Sequence, residues 1–287
     1  MHPDEVPTSA ALVRSLVSEQ FAEWAELPIE RIASFGTDHA LYRLGAGMVA
    51  RLPRRPVNER SLRNERRWLP RLAPHLPLDV PIPLAEGRPG HGYPFEWSVY
   101  RWLEGEAAEH EPIADLAQAA RDLADFIAAL QRIDPTGAPH PGAYNAFRGE
   151  PLAALRGDID EAAATALWEE ALAAREWNRA PVWHHGDLDV RNLLVANGRL
   201  SGVIDFGCLG IGDPACDVAV AWKVLPANQR DGFRAVLSVD EATWTRARGW
   251  VLSQAVNALS YYTLETNRML VVEARRWLDE VLTTARP

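Results

Sequence analysis

The chain of 287 residues is 47% hydrophobic and 24% charged, with a formal net charge of -9, a balance that excludes intrinsic disorder and gives no electrostatic footprint for nucleic acid. Its 30 basic residues include a single lysine, Lys223, in an apolar run with no glycine-rich loop before it, so a P-loop is excluded and any amine chemistry would rest on that one residue. Two cysteines (Cys208 and Cys216), no leader-like N-terminus and no apolar run approaching ~18 residues argue against a disulfide framework, secretion and a membrane span, and predict a cytoplasmic protein.

Residues 8–25 predict an amphipathic helix, with Thr8 or Ser9 as cap and Leu12, Leu16, Val17, Phe21 and Trp24 at helical spacing. Segments 31–35, 40–44 and 48–52, punctuated by Gly36-Thr37-Asp38 and Gly45-Ala46-Gly47, predict an antiparallel meander. Asn58–Leu72 predicts a charged helix with Leu62, Trp68, Leu69 and Leu72 on its apolar side. After a proline-rich crossing, 84–86 and 97–102 predict two more strands. Beyond Glu104-Gly105-Glu106 the pattern turns helical, over 113–133, 158–177, 213–225, 229–237, 240–264 and 270–284. Two apolar runs, 192–195 and 200–204, flank Asn197-Gly198, the signature of a type I′ hairpin. The predicted class is α+β, with a β-rich lobe over 1–103 and a larger helical lobe over 104–287.

The chemistry concentrates between Trp183 and Ala219. There the chain reads His184-His185-Gly186-Asp187-Leu188-Asp189-Val190-Arg191-Asn192, then the hairpin, then Ile204-Asp205-Phe206-Gly207 and Gly212-Asp213-Pro214-Ala215-Cys216-Asp217. A tight hairpin brings its open ends together, so Asn192 and Asp205 should lie close. A carboxylate and an amide oxygen converging there suit Mg²⁺ on phosphate oxygens. Asp187, just upstream, can then reach a hydroxyl aimed at that phosphate, which is the layout phosphoryl transfer needs.

H-G-D-x-x-x-x-N followed by I-D-F-G and G-x-G-D-P-A-x-D resembles the aminoglycoside phosphotransferase family, small-molecule kinases with a protein-kinase-like two-lobe fold. The resemblance implies a five-stranded antiparallel sheet in the N-lobe and a mainly helical C-lobe. It implies Asp187 as the catalytic-loop aspartate, Asn192 and Asp205 as metal ligands, His185 as a loop support and Asp217 as a structural aspartate. In the N-lobe it places Thr37 and Asp38 in the loop covering the nucleotide. Arg51, within Met48-Val49-Ala50-Arg51, takes the place of the expected lysine, with Glu65 as its partner. Tyr100 and Trp102 fall in the hinge that meets the base. Asp189-Val190-Arg191 stands where many members carry His-Pro-Gly. Lys223 falls on a C-lobe helix with no assigned role.

The leading expectation is therefore transfer of the γ-phosphoryl group of ATP or GTP, with Mg²⁺, to a hydroxyl of an antibiotic such as an aminoglycoside, a macrolide or a nucleoside. Asp189, Arg191, Tyr262 and Glu265 are the candidate acceptor contacts, and the acidic run Glu104, Glu106, Glu109 and Glu111 lies just past the hinge. Two alternatives stand beside it. One is a metabolic kinase of the same fold, acting on choline, homoserine, a sugar or a glycated amine. The other is a nucleotide-binding pseudokinase, against which the intact Asp187, Asn192 and Asp205 argue.

Overall fold

Ser9 has extended backbone and its hydroxyl accepts the Leu12 amide, which starts helix α1 (Ala10–Gln20). The computed structural model describes residues 5–32, 38–138 and 159–283. Strands β1 (Ile29–Arg31), β2 (His39–Leu44) and β3 (Met48–Pro53) form an antiparallel meander, with the first strand set earlier than the predicted 31–35, of which 33–35 lie outside the described residues, and helix α2 (Asn58–Leu72) matches its predicted bounds. Strands β4 (Pro83–Gly87) and β5 (Trp97–Arg101) complete one antiparallel sheet in the order β1-β2-β3-β5-β4. Gly87 faces Trp97 across the last pairing, where a Cβ would fall 2.0 Å from the indole. Only glycine leaves room for that ring, whose Nε1 donates to the Arg88 carbonyl.

A two-residue strand, β6 (Glu106–Ala107), then leads to helices α3 (Leu116–Arg132) and α4 (Glu161–Ala173). Strand β7 (Val182–His184) enters the polar loop. The hairpin is strands β8 (Leu193–Ala196) and β9 (Arg199–Val203), with Asn197 at φ 53° and Gly198 at φ 74°. Both turn residues have positive φ, as a type I′ turn requires. Strand β10 (Gly210–Gly212) pairs with β7, and β6 pairs with β8. Strands β6, β7 and β10 are not among the predicted elements because two or three residues carry no periodicity.

The remaining elements are helices α5 (Ala215–Val218), α6 (Val220–Lys223), α7 (Ala227–Leu237), α8 (Glu241–Tyr261) and α9 (Arg268–Thr283). The helix predicted over 213–225 is thus two short pieces joined at Ala219.

Two apolar cores result. One lies between α1 and the sheet, with Leu16, Tyr42, Leu52 and Trp97 fully buried. The other fills the helical part and includes Phe126, Trp183, Trp222 and Val251. Helix α2 turns Leu62, Trp68, Leu69 and Leu72 into this second core, where the Trp68 ring meets Trp183 at 4.9 Å. Each buried leucine contributes about 1.5–3 kcal/mol to that attachment. The same helix presents Glu65 to β3 and so links the body of the fold to the sheet.

Candidate active site

Gly186 sits at φ 86°, a conformation that L side chains rarely adopt, and turns the chain sharply after β7. The turn is pinned from α5. Asp217 is fully buried, and its two oxygens accept the His185 and Gly186 amides, both at 2.8 Å. The resemblance implied a structural aspartate at this position. His185 Nδ1 accepts the Asp187 amide at 3.2 Å, so Nε2 carries the proton and donates to the Ile204 carbonyl at 3.0 Å. One imidazole thus ties the loop to the exit of β9.

Asn192 closes the arrangement. Its Nδ2 donates to the Asp187 carbonyl at 2.8 Å and to Asp187 Oδ2 at 3.2 Å, which leaves its amide oxygen for another partner. Its own carbonyl accepts the Ile204 amide at 2.9 Å. The open end of the hairpin therefore places Asn192 beside the residue preceding Asp205. Asp205 itself has φ 61°, a strained left-handed conformation for a non-glycine residue and a common mark of functional sites. The side chains of Asp187 and Asp205 keep 38% and 47% of their surface, enough to meet a ligand.

Arg51 spans from the sheet to this loop. Its Nη1 donates to Glu65 Oε2 at 2.6 Å and its Nη2 to Oε1 at 3.3 Å, while Nη2 lies 3.6 Å from Asp205 Oδ1. The Tyr100 ring lies 5.3 Å from the guanidinium. Burial pushes the Glu65 carboxyl up and Arg51 pulls against it. The forked contact keeps the pair ionic, with Arg51 above its ordinary value despite its burial. Burial also opposes ionisation of Asp205, but Arg51 holds it below the usual carboxylate range.

His39 also belongs here and no sequence signal singles it out. It is buried, and its Nδ1 lies 3.5 Å from Arg51 Nη2. Burial, and then Arg51, press its pKa down to about 3. The folded chain therefore keeps His39 neutral where the unfolded chain protonates it near 6.5. Stability falls as pH drops from about 6.5 towards 3, by about 2 kcal/mol at pH 5. A His39→Asn protein should lose less of its denaturation midpoint between pH 7 and pH 5 than the wild type, as urea titrations at both pH values would measure.

The four candidate acceptor contacts fall in two places. Asp189 is fully buried, and Arg191 donates to it from its backbone amide at 2.9 Å, from Nε at 3.0 Å and from Nη2. Burial alone would raise the Asp189 carboxyl, but Arg191 and then Lys223 hold it low. The pair is bound within the loop, where Asp189 is closed off while the Arg191 side chain keeps 25% of its surface. Tyr262 and Glu265 line a cavity of about 1000 Å³ between α4, α8 and α9, together with Asp160, Val271 and Arg275. Among the described residues, no catalytic-loop side chain lines that cavity.

The hinge is also refined. The Trp102 amide donates to the Gly47 carbonyl at 2.8 Å and is spent within the sheet edge. Its ring lies under the Arg43 guanidinium, 3.6 Å from the centroid. Tyr100 is fully buried. Asp38 is exposed beside β2, and Thr37 lies outside the described residues.

The largest surprise is Lys223. It is 1% exposed and ends α6 directly beneath the loop, with Nζ 3.9 Å from both Asp187 Oδ1 and Asp189 Oδ2. Its signal was present in the sequence. A lone charge inside an apolar helical run is buried, and a buried charge requires a counter-charge.

Comparison with known proteins accords with this geometry. A curated relative, the uncharacterized protein YcbJ of Bacillus subtilis (strain 168), is 28% identical over 179 residues, covering 58% of this chain and 56% of that protein. An aminoglycoside 3'-phosphotransferase of Escherichia coli is 47% identical over 45 residues, 16% of this chain and 17% of its own. The matched region thus spans little more than half of the first relative and a small part of the second.

Among solved structures, the GDP complex of an aminoglycoside 2'-phosphotransferase superposes with a TM-score of 0.75 at 19% identity, covering 97% of this chain and all of its own. A macrolide 2'-phosphotransferase from Brachybacterium faecium gives 0.62 at 23% identity, covering 93% and 98%. At those identities the likeness shows a shared fold. The model of the phosphotransferase enzyme family matches residues 29–250, from β1 into α8. That span holds both the Arg51–Glu65 pair and the loop from His185 to Asp217, and on it the chain belongs to the phosphotransferase enzyme family.

Proposed function

We propose that this phosphotransferase moves the γ-phosphoryl group of ATP or GTP to a hydroxyl group of an antibiotic, and so confers resistance. The observation that carries the reading is the half-exposed Asp187 carboxylate, fixed by Asn192 at the hairpin end where Asp205 emerges toward Arg51 and Glu65. Asp187 orients the acceptor hydroxyl and takes its proton as the new oxygen–phosphorus bond forms. The nucleoside diphosphate leaves with the electrons of the broken bond. Arg51 meets the phosphates from the sheet side, kept in place by Glu65.

The amide oxygen of Asn192 and the carboxylate of Asp205 form an all-oxygen donor set that fits Mg²⁺, and these two residues would hold it. Bound there, the ion would neutralise charge on the phosphate oxygens. The rest of catalysis is positioning, because a loose transition state asks for little covalent help.

For the acceptor, the exposed Glu104 and Glu106 past the hinge favour a cationic molecule, and relatives named for aminoglycosides and a macrolide share the fold. The test is release of nucleoside diphosphate from Mg·ATP and Mg·GTP against a panel of aminoglycosides, macrolides and nucleoside antibiotics, with choline, homoserine, sugars and glycated amines alongside. Turnover with an antibiotic is expected. Turnover confined to a primary metabolite would overturn the resistance reading while leaving the kinase chemistry standing.

A further inference from the structure

We propose that Lys223 is a positioning residue for phosphoryl transfer: its buried ammonium holds the Asp187 carboxylate in its working orientation from beneath the catalytic loop. The inference rests on the reading of Asp187 as the group that orients the acceptor. It goes beyond the family motifs, none of which includes position 223.

Charge bookkeeping makes the case. The loop carries two carboxylates, Asp187 and Asp189, against one cation of its own, Arg191. Arg191 engages both oxygens of Asp189, so Asp189 is already neutralised by its neighbour. Lys223 lies equally far, 3.9 Å, from Asp189 Oδ2 and from Asp187 Oδ1. Its positive charge is therefore the increment that balances Asp187. Both separations exceed hydrogen-bond length, so the coupling is Coulombic, from an ammonium that is itself buried.

The two oxygens of Asp187 are then held differently. Oδ2 accepts from Asn192, and Oδ1 faces Lys223. A carboxylate held at both oxygens has little freedom to rotate or to swing toward Asp205. Remove the ammonium, and Asp187 faces the carboxylates of Asp189 and Asp205 with Arg191 committed elsewhere. The lysine is itself fixed from α9. The Trp277 ring lies 4.8 Å from Nζ, and Arg276, paired with Glu273 at 2.7 Å, donates to the Lys223 carbonyl. Nothing else in the chain can supply this group, because Lys223 is its only lysine.

That singularity makes the test clean. Full-length protein grown with ¹⁵Nζ-labelled lysine carries one side-chain ammonium resonance. An Asp187→Asn substitution should move that resonance, and Mg·ATP hydrolysis with water as acceptor reads the kinetics. Lys223→Met keeps length and apolar packing but removes the charge. It should lower kcat about 10²-fold, the scale of an ångström-size misplacement, with nucleotide KM within about twofold. Lys223→Arg should recover part of the loss.

Wild-type turnover in Lys223→Met, or a lysine resonance unmoved by Asp187→Asn, overturns the proposal. Should Lys223→Met fail to fold, the resonance shift decides alone. Full turnover in Asp187→Asn would defeat the functional reading itself. A dead Asp187→Asn beside an unimpaired Lys223→Met would defeat only the bracing.

Discussion

Asp187→Asn should lower the turnover of phosphoryl transfer about 10³-fold while leaving nucleotide affinity within about twofold. The substitution preserves shape, so the loop should persist. The amides of His185 and Gly186 still bond to Asp217, and His185 still bridges to Ile204. What disappears is the negative charge that draws the acceptor proton. Because Asp187 makes no contact with Arg51 or Glu65, nucleotide binding should be spared. Steady-state kinetics with an accepted substrate, together with titration calorimetry using Mg·ATP and Mg·GTP, would separate the two effects. A variant with turnover near wild type would remove Asp187 from the mechanism.

Arg51 yields the second large effect, on binding and stability together. Arg51→Met leaves Glu65 fully buried without its cation, which should cost about 3–5 kcal/mol of folding stability. Arg51→Lys should be milder but not silent. Two nitrogens of the guanidinium reach Glu65, at 2.6 and 3.3 Å, while one of them also approaches Asp205 at 3.6 Å. An ammonium on a shorter fork-less stem has to choose between these partners. We expect nucleotide affinity to fall about tenfold in Arg51→Lys, the scale of one lost charge-assisted contact. Denaturant unfolding and nucleotide titration of both variants measure this. Unchanged affinity in Arg51→Lys would show that a point charge suffices.

Much of this site was legible because its parts are local in sequence. Asn197-Gly198 dictates the hairpin, and the hairpin brings Asn192 to the residue before Asp205. Helix α2 was readable from its apolar stripe, while Glu65 came only with the family resemblance. What spacing along the chain does not carry is which way a side chain points and what lies below it. Asp189 and Arg191 are candidate acceptor contacts on their place in the loop, but that place does not foretell their ion pair. The loop turns them toward each other. Lys223 was set aside because no spacing relates residue 223 to residue 187. Their contact exists only because α6 packs under the loop, which is decided by the tertiary arrangement of α5, α6 and α9. Tyr262 and Glu265 share a cavity with residues of α4 and α9, a grouping that no spacing along the chain displays.

The anchoring of α2 in the second apolar core bears on how such chains recombine. A cut after residue 103 looks natural from the sequence texture. It would strip Leu62, Trp68, Leu69 and Leu72 of their cover, and it would carry Glu65 away from the body that holds its helix in place. The seam that respects the packing runs along the two connections flanking α2. An exchange that keeps this packing moves the sheet strands and leaves α2 with the helical body.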